Sequence, residues 1–230
     1  MSKDELVERY LEGQMSRRAF LRRLVASGVS IGAAVAYADV LRAVPAAAAG
    51  GDFYILVADY SFTPALAKLA APGRQVQWHN SSLATHNHTA TDTTGMKYFD
   101  SGPMTQGSDF FKRFIAAGTY TYICSELSHP TFPMTGTIKV PIKVDPASGP
   151  VGTVFTIRWA SRDAPSNYVY DVQRKRPSDA SFSDWKIGAT AKEATFSPNR
   201  AGRFAFRARL RKTSNGETSG YSKPKTIDVT

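Results

Sequence analysis

The chain has 230 residues, 42% hydrophobic and 11% aromatic, enough for one or two packed domains and a tail. Its formal charge of +10 is uneven: residues 142–230 carry 16 basic and 8 acidic groups, whereas residues 51–141 carry 6 of each. One cysteine excludes an intramolecular disulfide framework, and scattered glycine (17) and proline (13) exclude a low-complexity chain.

The first fifty residues read as an address. "SRRAFLRRL" from Ser16 is followed by the mildly apolar "LVASGVSIGAAVAYA" from Leu24 and then by the small residues of "VPAAAAGG". A charged front, a short apolar middle and an A-x-A-like end make an export signal. The apolar stretch falls short of the roughly 20 residues that span a bilayer, and no cysteine lies near the cleavage region to carry a lipid. The pair Arg17-Arg18, between Ser16 and Phe20-Leu21, resembles the twin-arginine motif of bacterial Tat signals. That resemblance implies export in the folded state, to the periplasm, the cell surface or the medium. An uncleaved signal serving as a membrane anchor is the alternative. Residues 1–49 are assigned to the signal.

From Asp52 the pattern is one of short strands. "FYILVADYSFTP" is rich in β-branched and aromatic residues and ends at a proline. "RQVQWHN" sets Val76 and Trp78 against Gln75 and Gln77. In "TYTYIC", Tyr120, Tyr122 and Cys124 fall on one face, because strand side chains have period two. "GTIKVPIKV" is a further strand. "APG", "NSS", "DTTG", "DSGP" and "AAG" mark turns. Many short strands at regular spacing predict an all-β sandwich or barrel. The Pro/Gly-rich "PIKVDPASGPVG", residues 141–152, marks a boundary near residues 142–146. Beyond it "TVFTIRWA", "YVYDVQRKR", "DWKIG", "GRFAFRARLRK" and "KPKTIDVT" form a second set of strands, which holds most of the excess positive charge.

"CSELSHPTFPMTG", residues 124–136, places the only cysteine, one of four histidines and one of five methionines in one loop. Cys124 ends a strand, His129 and Met134 follow at C-x4-H-x4-M spacing, and His88 lies 36 positions before the cysteine. Taken singly, a buried cysteine is a small hydrophobe and a methionine is core filler. Together, two imidazoles, a thiolate and a thioether form the mixed donor set of a blue-copper electron-transfer site. His86, in "THNHT", is the alternative to His88. His79 is read as a polar strand-end residue and not a ligand. Zinc fits poorly, since structural zinc sites take four Cys or His ligands and only one cysteine is present.

Residues 50–141 resemble the plastocyanin/azurin family of cupredoxins. The resemblance is carried by "VQWHN", "HTATDTTGMKYFDSG", "GSDFFKRF", "AAGTYTYICS" and "HPTFPMTGTIKV". It implies a Greek-key β-sandwich holding one copper ion, with His88, Cys124 and His129 as equatorial ligands and Met134 as the axial one. The ligand loop is at the long end for that family, and Pro130 and Pro133 stiffen it by fixing φ. Electrons would pass through the edge of His129, inside an apolar rim of Pro130, Phe132 and Pro133. Redox partner proteins would dock there weakly and transiently.

Residues 142–230 resemble a fibronectin type III domain, on "FTIRWA", "YVYDVQRK", "GRFAFRARLRK" and "SGYSKP". This implies a second, Ig/fibronectin III-like β-sandwich, with Trp159 in its core and Phe204 where a tyrosine is usual. The arginines of "RFAFRARLRK" and "QRKR" suggest a patch for an anionic surface or an acidic partner. Nucleic acid is not expected for an exported chain.

The expected function is one-electron transfer by an exported mononuclear copper protein. The alternatives are copper storage or delivery without rapid electron transfer, and a structural or adhesion protein whose fold has lost its metal. An enzyme is not expected. A trinuclear copper cluster would need more histidines, and there is no Ser-His-Asp pattern, phosphate loop or carboxylate pair.

Overall fold

The computed structural model describes residues 6, 9, 16–28, 30, 51–58, 60–82, 87–126 and 134–230. The N-terminal region contributes α1 (Arg17–Ala26), opened by Ser16, whose Oγ accepts a hydrogen bond from the Ala19 N–H at 3.3 Å. A serine here satisfies one of the N–H groups that the first turn leaves without an intrahelical partner. No helix among the described residues is long and apolar enough to cross a membrane. Most of the apolar stretch and all of the cleavage region expected of the signal lie outside the described residues.

The rest of the described chain is all-β. One group of strands lies between Phe53 and Val140. β1 (Phe53–Ala58), β2 (Ser61–Thr63), β4 (Arg74–Asn80) and β6 (Asp109–Phe114) form a sheet in the order β2-β1-β4-β6. β3 (Leu66–Lys68), β5 (Thr91–Asp92), β7 (Gly118–Ile123) and β8 (Thr135–Val140) form another in the order β3-β8-β7-β5. The pairs β1/β4 and β3/β8 are parallel and the other pairs antiparallel. The inner faces meet around Trp78, which is fully buried. Its ring lies 5.6 Å from Phe99, 6.3 Å from Phe114 and 5.5 Å, edge to face, from Tyr122. The alternation expected of residues 118–124 is present: Tyr120, Tyr122 and Cys124 are buried, while Thr121 and Ile123 face outward. The stretch expected as one strand from Phe53 is instead a hairpin, with Leu56 opposite Thr63. Tyr60 makes the turn at φ 61°, a conformation that the sequence does not announce because no glycine is there.

A second group of strands lies between Lys143 and Val229. β9 (Lys143–Asp145), β11 (Phe155–Arg158) and β14 (Glu193–Phe196) form one sheet. β10 (Ser148–Gly149), β12 (Tyr168–Lys175), β13 (Ser183–Ala189), β15 (Gly202–Lys212) and β16 (Lys225–Val229) form the other. Trp159 is buried and donates its Nε1–H to the Ala191 carbonyl at 2.8 Å. Along β15, Phe204, Phe206, Ala208 and Leu210 are buried, and arginines occupy the other phase.

Those arginines are engaged. Arg207 lies 4.4 Å from the ring centres of both Phe182 and Tyr221 and donates to Gln173 Oε1. Arg209 and Arg211 both reach the buried Asp171, and Arg203 pairs with Asp228.

Backbone hydrogen bonds join the two groups of sheets. Ala117 N donates to Trp159 O at 2.7 Å, Ser161 N to Ile115 O at 2.8 Å, and Thr119 and Gly220 exchange a pair at 2.8 and 2.9 Å. Lys212 Nζ adds a bond to Met96 O at 3.0 Å.

Candidate metal centre

The only cysteine follows the last residue of β7, and Met134 precedes the first residue of β8. The antiparallel register sets Ile123 opposite Thr135, and one further bond, from Cys124 N to Met134 O at 2.9 Å, extends it. Two donors ten positions apart are thereby held at the base of one loop. Both are buried, Met134 at 2% and Cys124 at 8% exposure.

The third donor arrives from the connection before β5. His88 forms an isolated antiparallel bridge with Met104: His88 N donates to Met104 O at 3.1 Å and Met104 N to His88 O at 2.7 Å. Asn80, at the end of β4 and fully buried, braces that bridge. Its Nδ2 donates to Met104 O at 2.8 Å, and its Oδ1 accepts from Ser82 N at 3.0 Å. His88 is fully buried as a result, with its ring turned to the cysteine. Nδ1 and Sγ stand 3.9 Å apart.

Thr89 joins the two segments. Its backbone N–H donates to Cys124 Sγ at 3.3 Å, and its Oγ1 accepts from Ser125 N at 2.6 Å. The Thr89 and Ser125 hydroxyls share a further bond at 2.9 Å, and Thr91 Oγ1 lies 3.2 Å from Ser125 Oγ. These supporting residues were not singled out in the sequence. The available signal was a hydroxyl residue directly after each candidate donor, in "HT" and "CS".

The donors fit a soft metal ion. A separation of 3.9 Å is long for a hydrogen bond. It is shorter than the sum of a metal–nitrogen bond of about 2.0 Å and a metal–sulfur bond of about 2.3 Å, so one ion can reach both atoms from a bent position. Among the described residues, no three His, Cys, Asp or Glu side chains converge: His88 and Cys124 are a pair, with Met134 beside them in the strand register. His129, His86 and the rim residues Pro130, Phe132 and Pro133 lie outside the described residues. His79 is elsewhere. It sits on β4, with Nδ1 2.9 Å from Asp109 Oδ1 and its ring stacked on Tyr54 at 6.0 Å.

No protein-family model matches the sequence, and no curated protein matches it. Among solved structures, the chain is similar to a purple cupredoxin from Nitrosopumilus maritimus, at 27% identity over 39% of this chain and 99% of that one, with a TM-score of 0.32. It is also similar to a reduced auracyanin from Roseiflexus castenholzii, at 17% identity over 38% and 94%, TM-score 0.32. A third similarity is to a fibronectin-III-like protein from Clostridium thermocellum, at 17% identity over 36% and 90%, TM-score 0.27.

Proposed function

We propose that this chain is an exported mononuclear copper protein that carries one electron at a time between partner proteins, and that it is not an enzyme. His88, Cys124, His129 and Met134 would hold the ion. The observation that carries this reading is the meeting of His88 Nδ1 and Cys124 Sγ, 3.9 Å apart in a buried place, with a thioether residue across the strand register. When bound, copper supplies a couple between its +1 and +2 states, and a thiolate with imidazoles suits both.

The chain's own contribution is to hold its donors still. Cys124 and Met134 are fixed by a strand pair, His88 by its bridge to Met104, and the Cys124 sulfur by the Thr89 N–H. Donors placed before the metal arrives need little rearrangement when charge changes. Burial keeps water from the sulfur, which protects it from oxidation.

In this reading residues 1–49 are a Tat-type signal, residues 50–141 the copper module and residues 142–230 an accessory sandwich. Partner proteins dock weakly at the loop carrying His129, as redox encounters require rapid release. The basic accessory module meets an anionic surface or an acidic partner. Cyclic voltammetry of the copper-loaded protein tests the electron-transfer role. The expected result is a reversible one-electron wave that disappears in His88→Ala. Tight copper binding without reversible cycling would make it a storage or delivery protein.

A further inference from the structure

A cavity of about 440 Å3 opens where the two groups of sheets meet, away from His88 and Cys124. Tyr98, Lys112 and Ile115 line it from the first group, and Arg162, Pro165 and Tyr168 from the second. Its size lies within the range of small-molecule sites. We propose that this cavity binds a small organic carboxylate with a planar apolar body, as a site that neither sandwich makes alone.

The charge is one-sided. Arg113 also lines the cavity, which brings three cations together with no carboxylate in the lining. Arg113 is partly committed, donating to Gly73 O and to Gln75 Oε1. Lys112 is half-buried, with Nζ 2.6 Å from Tyr98 O and 4.0 Å from the Tyr98 ring centre. Burial lowers the pKa of its ammonium, the Asp92 charge opposes that, and the Arg162 charge lowers it further. Asp92 is turned to its own loop, accepting from Thr94 N, Thr94 Oγ1 and Tyr98 N. Arg162 lies across the junction with no side-chain hydrogen bond or ion pair among the described residues, so its planar fork is available to a carboxylate. Lys112 keeps N–H donors beyond the one spent on Tyr98 O.

The remaining wall is apolar. The Tyr98 and Tyr168 rings meet edge to face at 5.7 Å, beside Ile115 and Pro165. An inorganic anion would leave this surface unused, whereas a flat organic body would cover it. The Ser161 N to Ile115 O bond at 2.8 Å fixes the distance across the junction.

Isothermal titration of the full chain with benzoate, without copper, tests the site independently of the metal. The expected result is saturable one-site binding at millimolar benzoate, weakened about tenfold or more by Arg162→Ala and by Lys112→Met. Arg162 is exposed, so its variant should keep the wild-type melting temperature. Benzamide, which has the ring without the charge, and inorganic phosphate, which has charge without the ring, should each bind far more weakly. Absence of saturation, unchanged affinity in Arg162→Ala, or equal binding of benzamide or phosphate would overturn the proposal.

Discussion

The backbone N–H of Thr89 donates to the Cys124 sulfur at 3.3 Å, while the Thr89 hydroxyl oxygen accepts from Ser125 N at 2.6 Å. One residue thus ties the segment carrying His88 to the segment carrying Cys124, 35 positions later. Thr89→Val keeps the shape and the N–H to sulfur but removes the acceptor of the part-buried Ser125 N–H bond. The expected loss of stability is about 0.5–1.5 kcal/mol, with Thr89→Ser recovering most of it. Urea unfolding of the three proteins measures this.

Asn80 acts at one remove. Its amide holds Met104 O and Ser82 N, and Met104 in turn pairs with His88. Asn80→Ala should cost about 1–3 kcal/mol and loosen the bridge. Amide hydrogen exchange at His88 and Met104 should accelerate more than at strand residues such as Tyr120. Equal acceleration throughout would point to a general loss of stability instead.

Gly136 lies against the Tyr122 ring, and a β-carbon there would overlap the ring carbons and hydroxyl. Tyr122 is buried two residues before Cys124. Gly136→Ala should destabilise by about 1–3 kcal/mol through overpacking. Tyr122→Phe, which removes one of the overlapping atoms, should recover part of that loss in the double variant. A double-mutant cycle reads the coupling.

Asp171 gives a pH dependence with a definite sign. Burial raises its carboxyl pKa, but hydrogen bonds from Arg211 and the Gly188 N–H, with the charges of Arg211 and Arg209, outweigh burial and hold it below the usual value. A depressed folded pKa adds stability that is fully present above the unfolded value of about 3.9. That stability is lost as pH falls below that value and through the lower folded one. Asp171→Asn should therefore cost about 3 kcal/mol near neutral pH, and the gap to wild type should narrow in acid. Urea unfolding across that range checks both.

Much of this arrangement was legible in the sequence. Alternation alone placed Tyr120, Tyr122 and Cys124 on one buried face. What escaped has physical causes. β3 and β5 have three and two residues, too few for a period to show. β14 (Glu193–Phe196) was missed because its alternation is weak and it sits among polar residues. Tyr60 takes a turn conformation without glycine. The contacts of the β15 arginines were not legible, because Asp171, Gln173 and Tyr221 approach them from elsewhere in the chain. The contacts of Asn80 and Thr89 are likewise products of topology, and no local pattern encodes them.

Mutation distinguishes the two candidate first ligands. His88 is buried and aimed at Cys124, so His88→Ala should abolish specific copper binding while His86→Ala retains it. Copper titration followed by metal analysis distinguishes them, and the reverse pattern would transfer the role to His86.

The most direct test of the central claim is the visible absorption and paramagnetic resonance spectrum of the protein loaded with one equivalent of copper(II), compared with Cys124→Ser. An intense sulfur-to-copper charge-transfer band that is present in the wild type and absent in Cys124→Ser is the predicted result. No such band in the wild type, or an unchanged band in the variant, would contradict a copper site built on Cys124.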